Sequence, residues 1–132
     1  MIFVDSSFWI AEAIPRNGHH SVAAELARRH SSHPLTTTNL VVGETWTYLR
    51  RRSGHPRAMR WLDRLLASRQ ITVEQLDETL DAEAWAWLRV HDERPYSFVD
   101  ATSFALMRRL RIAEALAFDG DFAAAGFVEL RP

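Results

Sequence analysis

The sequence predicts an α/β sandwich built from parallel strand–helix–strand units around one sheet. Two observations carry this. Five short apolar runs, at 2–4, 35–37, 71–73, 115–118 and 127–130, are rich in β-prone residues, and longer helical patterns separate them. Strands alternating with helices pair in parallel and take helices as their cover. The chain has 132 residues, 47% of them hydrophobic and 25% charged, as in an ordinary soluble domain with a core of its own. One domain over residues 1–132 is expected.

Ile2-Phe3-Val4 reads as the first buried strand. Ser6 and Ser7 are placed to cap a helix through Ala13. Pro15, Asn17 and Gly18 make a loop, and a helix follows from Val22 to His30. Leu35-Thr36-Thr37 is the second strand, after which Thr38 or Asn39 caps a helix to about Arg52. Gly54 and Pro56 break it. A further helix over 56–68 turns Met59, Leu62, Leu65 and Leu66 inward and Arg57, Arg60 and Arg64 elsewhere. Ile71-Thr72-Val73 is the third strand. A helix spans 77–92 until Pro95 intervenes, and another starts at Ser97 and runs to about Leu110. Residues 115–118 and 127–130 complete the sheet.

Charge and composition narrow the chemistry. Net charge is −1, with no cysteine and no lysine, so all 16 basic residues are arginine. Disulfides, thiolate zinc sites and cysteine nucleophiles are excluded together. A phosphoacceptor receiver domain needs a lysine. A haloacid-dehalogenase-type phosphatase needs D-x-D where this chain has D-S-S, and a P-loop enzyme needs G-K-[ST]. Arg50, Arg51, Arg52, Arg57, Arg60 and Arg64 crowd one stretch against Asp63 alone. Acids dominate 74–93. Such runs are either solvated helix faces or local fields that steer a charged partner. A basic leader and a membrane-length apolar run are both lacking, which makes the cytoplasm the default expectation.

Four acids stand out. Asp5 ends the first strand, where it can cap the next helix or meet a ligand at the carboxyl edge of the sheet. Glu44 has Leu40, Val41 and Tyr48 at three and four residues' distance, which puts it on or beside an apolar stripe. A buried carboxylate there costs several kcal/mol unless an arginine, a proton or a metal ion compensates. Gly43 before it suggests close approach of another element. Asp100 forms a capping-box pattern with Ser97 yet opens an apolar helix. Asp119 is expected at the end of the fourth strand. Asp121 lies beyond Gly120 and is expected to cap the short turn after it, or to hold an outer water. If the first and fourth strands are central and parallel, Asp5 and Asp119 share one edge. Glu44 and Asp100 can join them from neighbouring helices. Clustered carboxylates need a counter-ion, and oxygen donors suit Mg²⁺ or Mn²⁺ far better than zinc.

Four segments carry a resemblance: I-F-V-D-S-S-F-W-I, V-V-G-E-T-W-T-Y-L, Y-S-F-V-D-A-T-S-F-A-L-M and A-L-A-F-D-G-D-F. In this order and spacing the chain resembles PIN domains, and among them the VapC-like toxins of toxin–antitoxin pairs. The resemblance implies a three-layer α/β/α fold with a central parallel sheet and a Mg²⁺- or Mn²⁺-dependent endoribonuclease. It implies an acidic quartet of Asp5, Glu44, Asp100 and Asp119, with Asp5, Asp100 and Asp119 as metal ligands. Ser7, Glu44 and Asp121 fall at outer positions. It further implies a VapB-like antitoxin as partner and a homodimer. From the residues themselves, Arg50, Arg51, Arg52, Arg57, Arg60 and Arg64 are candidates to hold RNA phosphates, with plain solvated faces as the equal alternative. One departure is Ala117, where relatives often carry Thr or Ser; Ser6, Ser7 or Ser103 could supply the missing hydrogen bond. The rival reading is a catalytically inactive RNA- or antitoxin-binding module on the same fold.

Overall fold

The computed structural model describes residues 1–132. Its elements in chain order are β1 (Ile2–Val4), α1 (Ser6–Ala13), α2 (His20–Arg29), β2 (Leu35–Thr38), α3 (Asn39–Ser53), α4 (His55–Ala67), β3 (Ile71–Glu74), α5 (Glu78–Arg89), α6 (Phe98–Leu110), β4 (Glu114–Leu116), α7 (Asp121–Ala124) and β5 (Val128–Glu129). All five strands are parallel, in the order β3-β2-β1-β4-β5. The chain therefore builds outward from β1 to β3, then crosses back to lay β4 on the other side of β1. Crossovers between parallel strands are right-handed, so this reversal sends α1–α4 to one face and α5–α7 to the other. The helix contacts agree: α1 packs on α2 and α3, α3 on α4, α5 on α6, and α6 on α7.

β1 and β4 are neighbours with reversed winding on either side. That is the switch point at which ligands bind to open α/β sheets, outside the carboxyl ends of the strands. The Asp5 N–H donates to the Leu116 carbonyl at 3.0 Å and ties the two strand ends together. β2 contributes three consecutive buried threonines whose hydroxyls all find partners. Thr36 donates to the Thr72 carbonyl, Thr37 to the Val4 carbonyl, and Thr38 caps α3 by accepting from Val41 N–H. Buried hydroxyls left unpaired would each cost about 1–3 kcal/mol. Asn39, the other expected cap, instead accepts from Leu76 N–H at 2.8 Å.

The core is aromatic near the site. Phe104 of α6 is fully buried and meets the Phe122 ring edge-on at 5.0 Å. Phe3 of β1 stacks on Phe122 from the other side at 5.8 Å. Truncating Phe104 to alanine would cost about 3–5 kcal/mol and loosen α6 against the sheet.

Several expectations shift. β4 ends at Leu116, so residues 117–119 form a connection rather than strand, and Asp119 lies three residues beyond the ladder. Residues 117–119 carry the chain out to Gly120, whose φ of +82° starts the turn into α7, a conformation that suits glycine. β5 is shorter than expected, at Val128–Glu129. The cap of α1 is Asp5, not Ser6 or Ser7.

Candidate metal centre

Asp5 follows β1 and caps α1. Its Oδ2 accepts from Ser7 N–H at 3.1 Å and from Ser7 Oγ at 2.7 Å. The cap and the candidate ligand are thus one residue: the cap holds one carboxylate oxygen and leaves the other for the cleft. Only 2% of Asp5 is exposed. Burial, with the charges of Asp119 and Asp100 adding to it, pushes its carboxyl up to about 7 against the Ser7 bonds.

Asp100 stands at the third position of α6. The capping box is complete, with Asp100 N–H donating to Ser97 Oγ at 2.9 Å and Ser97 N–H donating to Asp100 Oδ2 at 3.0 Å. It too is buried, and burial assisted by the charges of Asp119 and Asp121 raises its carboxyl to about 6. Asp119 is exposed, and its Oδ1 accepts from Asp121 N–H at 3.1 Å. Although the residue as a whole is exposed, partial enclosure of its carboxyl, with Asp121 and Glu129 as charged neighbours, raises it as well. Carboxylate oxygens of Asp100, Asp119 and Asp121 come within 4.8 Å of one another, a separation a single cation can span.

The role expected of Asp121 as a cap is taken by its neighbours. Gly120 is the cap position of α7, and Asp119 makes the side-chain bond across the turn. Asp121 is held by Arg94, which donates to its Oδ1 from Nε at 3.0 Å and from Nη2 at 2.8 Å. Arg94 gave no signal in the sequence: it sits in the loop before Pro95, 27 positions from Asp121, and only the fold brings the two together. It is the one cation bonded to the cluster, so it offsets part of the charge that the other carboxylates leave uncompensated.

Glu44 corrects an expectation. It is exposed, as is Gly43, and an added Cβ on Gly43 would meet nothing within 4 Å. The buried stripe of α3 is Val41, Thr45 and Leu49. Leu40 and Tyr48, the neighbours that made Glu44 look internal, themselves face outward. They line an open hollow of about 700 Å³ together with Ser6, Glu44, Arg51 and Phe98. The compensation sought for a buried Glu44 is therefore unnecessary. Its carboxylate accepts from Ser6 Oγ at 2.5 Å.

The departure at Ala117 is answered by a serine. Ser7 Oγ, while donating to Asp5, accepts from Phe118 N–H at 3.0 Å, which fixes the segment leading to Asp119. Phe118 is clamped besides, between the His19 ring at 4.6 Å and the Phe8 ring at 5.9 Å. Of the other two candidates, Ser6 donates to Glu44 and Ser103 to the Val99 carbonyl of its own helix. The arginines divide: Arg51 borders the acid-side hollow, while Arg52, Arg57, Arg60 and Arg64 surround a different one. Arg50 lines neither. The donor set at the cleft is all oxygen, with no histidine or cysteine in the cluster, and such a set fits a hard divalent cation.

Comparison with known proteins identifies the family. The family profile of the PIN domain matches residues 2–128. Two curated relatives, the 23S rRNA-specific endonucleases VapC20 of Mycobacterium tuberculosis strains CDC 1551 / Oshkosh and ATCC 25618 / H37Rv, are each 52% identical over 134 residues, spanning 100% of this chain and 99% of theirs. The crystal structure of Mycobacterium tuberculosis VapC20, described as a sarcin-ricin loop cleaving toxin, superposes with a TM-score of 0.93 at 49% identity over the full length of both chains. The profile spans nearly the whole sequence and the likeness to full-length toxins holds end to end: the chain belongs to the PIN-domain family, among its VapC-like endoribonuclease toxins.

Proposed function

We propose that this chain hydrolyses RNA with a Mg²⁺ or Mn²⁺ ion held by Asp5, Asp100 and Asp119, and that its substrate is 23S rRNA at the sarcin-ricin loop, as for the VapC20 relatives. The observation that carries the reading is the approach of the Asp100, Asp119 and Asp121 carboxylates to within 4.8 Å of one another, with Asp5, outside that trio, near enough for the Asp119 and Asp100 charges to help raise it to about 7, and Asp100 raised to about 6. Acids held so far above their ordinary range are poised to exchange protons for a cation.

When bound, the ion supplies Lewis-acid stabilisation of charge on the phosphate and a water of lowered pKa. The chain's own residues do the positioning. Ser7 fixes Asp5 and, through Phe118 N–H, the segment that presents Asp119. Ser97 fixes Asp100. Arg94 neutralises Asp121, which lies in the outer shell and keeps the 119–121 turn in place. Glu44, steadied by Ser6, lines the hollow beside the acids and would orient the attacking water from α3. The exposed apolar face beside Glu44, with Tyr48 and with Trp85 stacked on Phe98, supports a covered surface in the assembled toxin. We assign it to a VapB-like antitoxin or a second copy of the chain. Action on ribosomal RNA implies the cytoplasm, and no helix is long and apolar enough to cross a membrane.

Purified protein incubated with 23S rRNA should give a single cut that requires Mg²⁺ or Mn²⁺ and disappears with Asp5→Asn or Asp100→Asn. Cleavage unchanged in either variant, or persisting in chelator, removes the site assignment. Intact rRNA with full binding of RNA would favour the inactive module.

A further inference from the structure

Beyond the acid cleft the fold holds a second hollow, of about 530 Å³, lined by Arg16, Arg52, Arg57, Arg60 and Arg64 around Trp61. Arg16 follows α1, Arg52 ends α3, and the other three share one face of α4. The four ion pairs of the chain use Arg29, Arg94, Arg109 and Arg131, so none of the five is paired. Asp63, the single acid of α4, is not among the lining residues, and Glu12 near Arg64 is the acid closest in effect. Guanidinium groups do not shed their protons, so their convergence cannot be relieved by titration.

Helix dipoles explain only part of this. Arg52 and Arg64 lie in the last turns of α3 and α4, where a cation is favourable. Arg57 lies in the first turn of α4, where the dipole opposes it, and Arg16 lies on no helix. A set of unpaired forks facing one space, partly against the helix dipole, is a receptor for several anionic groups at once.

The hollow is also aligned with the cleft. α1 starts at Ser6, next to Asp5, and α3 carries Glu44 in its second turn; toward their far ends both reach the arginine hollow, at Ala13 and Arg52. From Ser6 to Ala13 and from Glu44 to Arg52 the rise is about 10–12 Å. Ile10 and Arg51 border the acid-side hollow, so the two spaces adjoin end to end along this helix pair. We infer that the arginine basin is a phosphate-binding exosite that grips the RNA backbone flanking the cleaved bond, two helical turns from the acids. The inference rests on the endoribonuclease reading of the acid site. It adds a mode of recognition: a loop is presented on a stem, and stems are recognised through phosphates and shape rather than base edges.

The test uses the full chain in chelator with a labelled RNA stem-loop, and a melting curve checks each variant's fold. Arg57→Gln/Arg60→Gln should weaken binding about 10–100-fold at 0.1 M salt and flatten the slope of log K against log salt by about 1.4–2. Arg57→Lys/Arg60→Lys should restore most of the slope. In Mn²⁺ the glutamine pair should raise KM for the stem-loop, leave kcat alone, and leave cleavage of a tetranucleotide unaffected. The binding arm decides the exosite even if no RNA is cut, so the two readings fail separately. RNA affinity and salt slope unchanged by the glutamine pair would overturn the exosite. So would unchanged RNA binding with loss of binding to a polyglutamate peptide, which would make the basin a protein-docking site.

Discussion

Asp5→Asn should stabilise the metal-free protein above neutral pH while abolishing its response to metal. Asp5 moves from 3.8 when unfolded to about 7 when folded. Between those values the folded state binds more protons than the unfolded one, so stability falls as pH rises from about 4 to 7 and stays low above. At about 1.4 kcal/mol per pKa unit, ionised Asp5 costs up to about 4 kcal/mol at pH 8. Asparagine removes the charge and keeps an acceptor for the two Ser7 donors, yet brings an NH₂ that must find its own partners. Recovery of about half, roughly 2 kcal/mol, would raise Tm by roughly 6–8 °C in a chain of this size. The assay is thermal unfolding in chelator at pH 5 and pH 8, with and without Mn²⁺. The variant should match the wild type at pH 5, exceed it at pH 8, and gain nothing from Mn²⁺ where the wild type does. A variant that melts at or below the wild type at pH 8, with the same pH profile, refutes the claim that burial of this charge strains the fold.

Ser7→Ala should cost about 1–3 kcal/mol by leaving the Phe118 N–H unpaired and should weaken Mn²⁺ binding, both readable in a melt with a metal titration. Ser97→Ala should cost about 1 kcal/mol as a lost cap, seen as a lower midpoint in urea at an unchanged m value. Asp119→Asn should damage metal-dependent cleavage far more than Asp121→Asn, which should lose no more than about tenfold because Arg94 already neutralises Asp121. Equal losses in the two variants would place both acids on the ion.

The fold is legible in the chain because its signals are local and repeated. Strand runs, caps and breakers alternate regularly, and the strand pattern implies the parallel sheet that brings Asp5 and Asp119 to one edge. Glu44 is harder. Spacing along a helix tells which residues share a face, but not whether that face meets the core or an open hollow, and Leu40 and Tyr48 turn out to line the hollow. Asp121 passes for a cap because its partner, Arg94, lies 27 positions away along the chain and only the fold brings them together. Arg16 gives no signal for the same reason: it joins the arginines of α3 and α4 only because α1 runs beside α3.

Every role proposed for the acid site depends on these carboxylates holding a divalent cation. Calorimetric titration of Mn²⁺ into the chelator-stripped protein at pH 7.5 checks this without any RNA. Saturable binding below millimolar metal is expected, with protons released, and that binding should be lost in Asp5→Asn and Asp100→Asn. No binding at millimolar Mn²⁺, or binding unchanged in both variants, would show that these acids do not form a metal site.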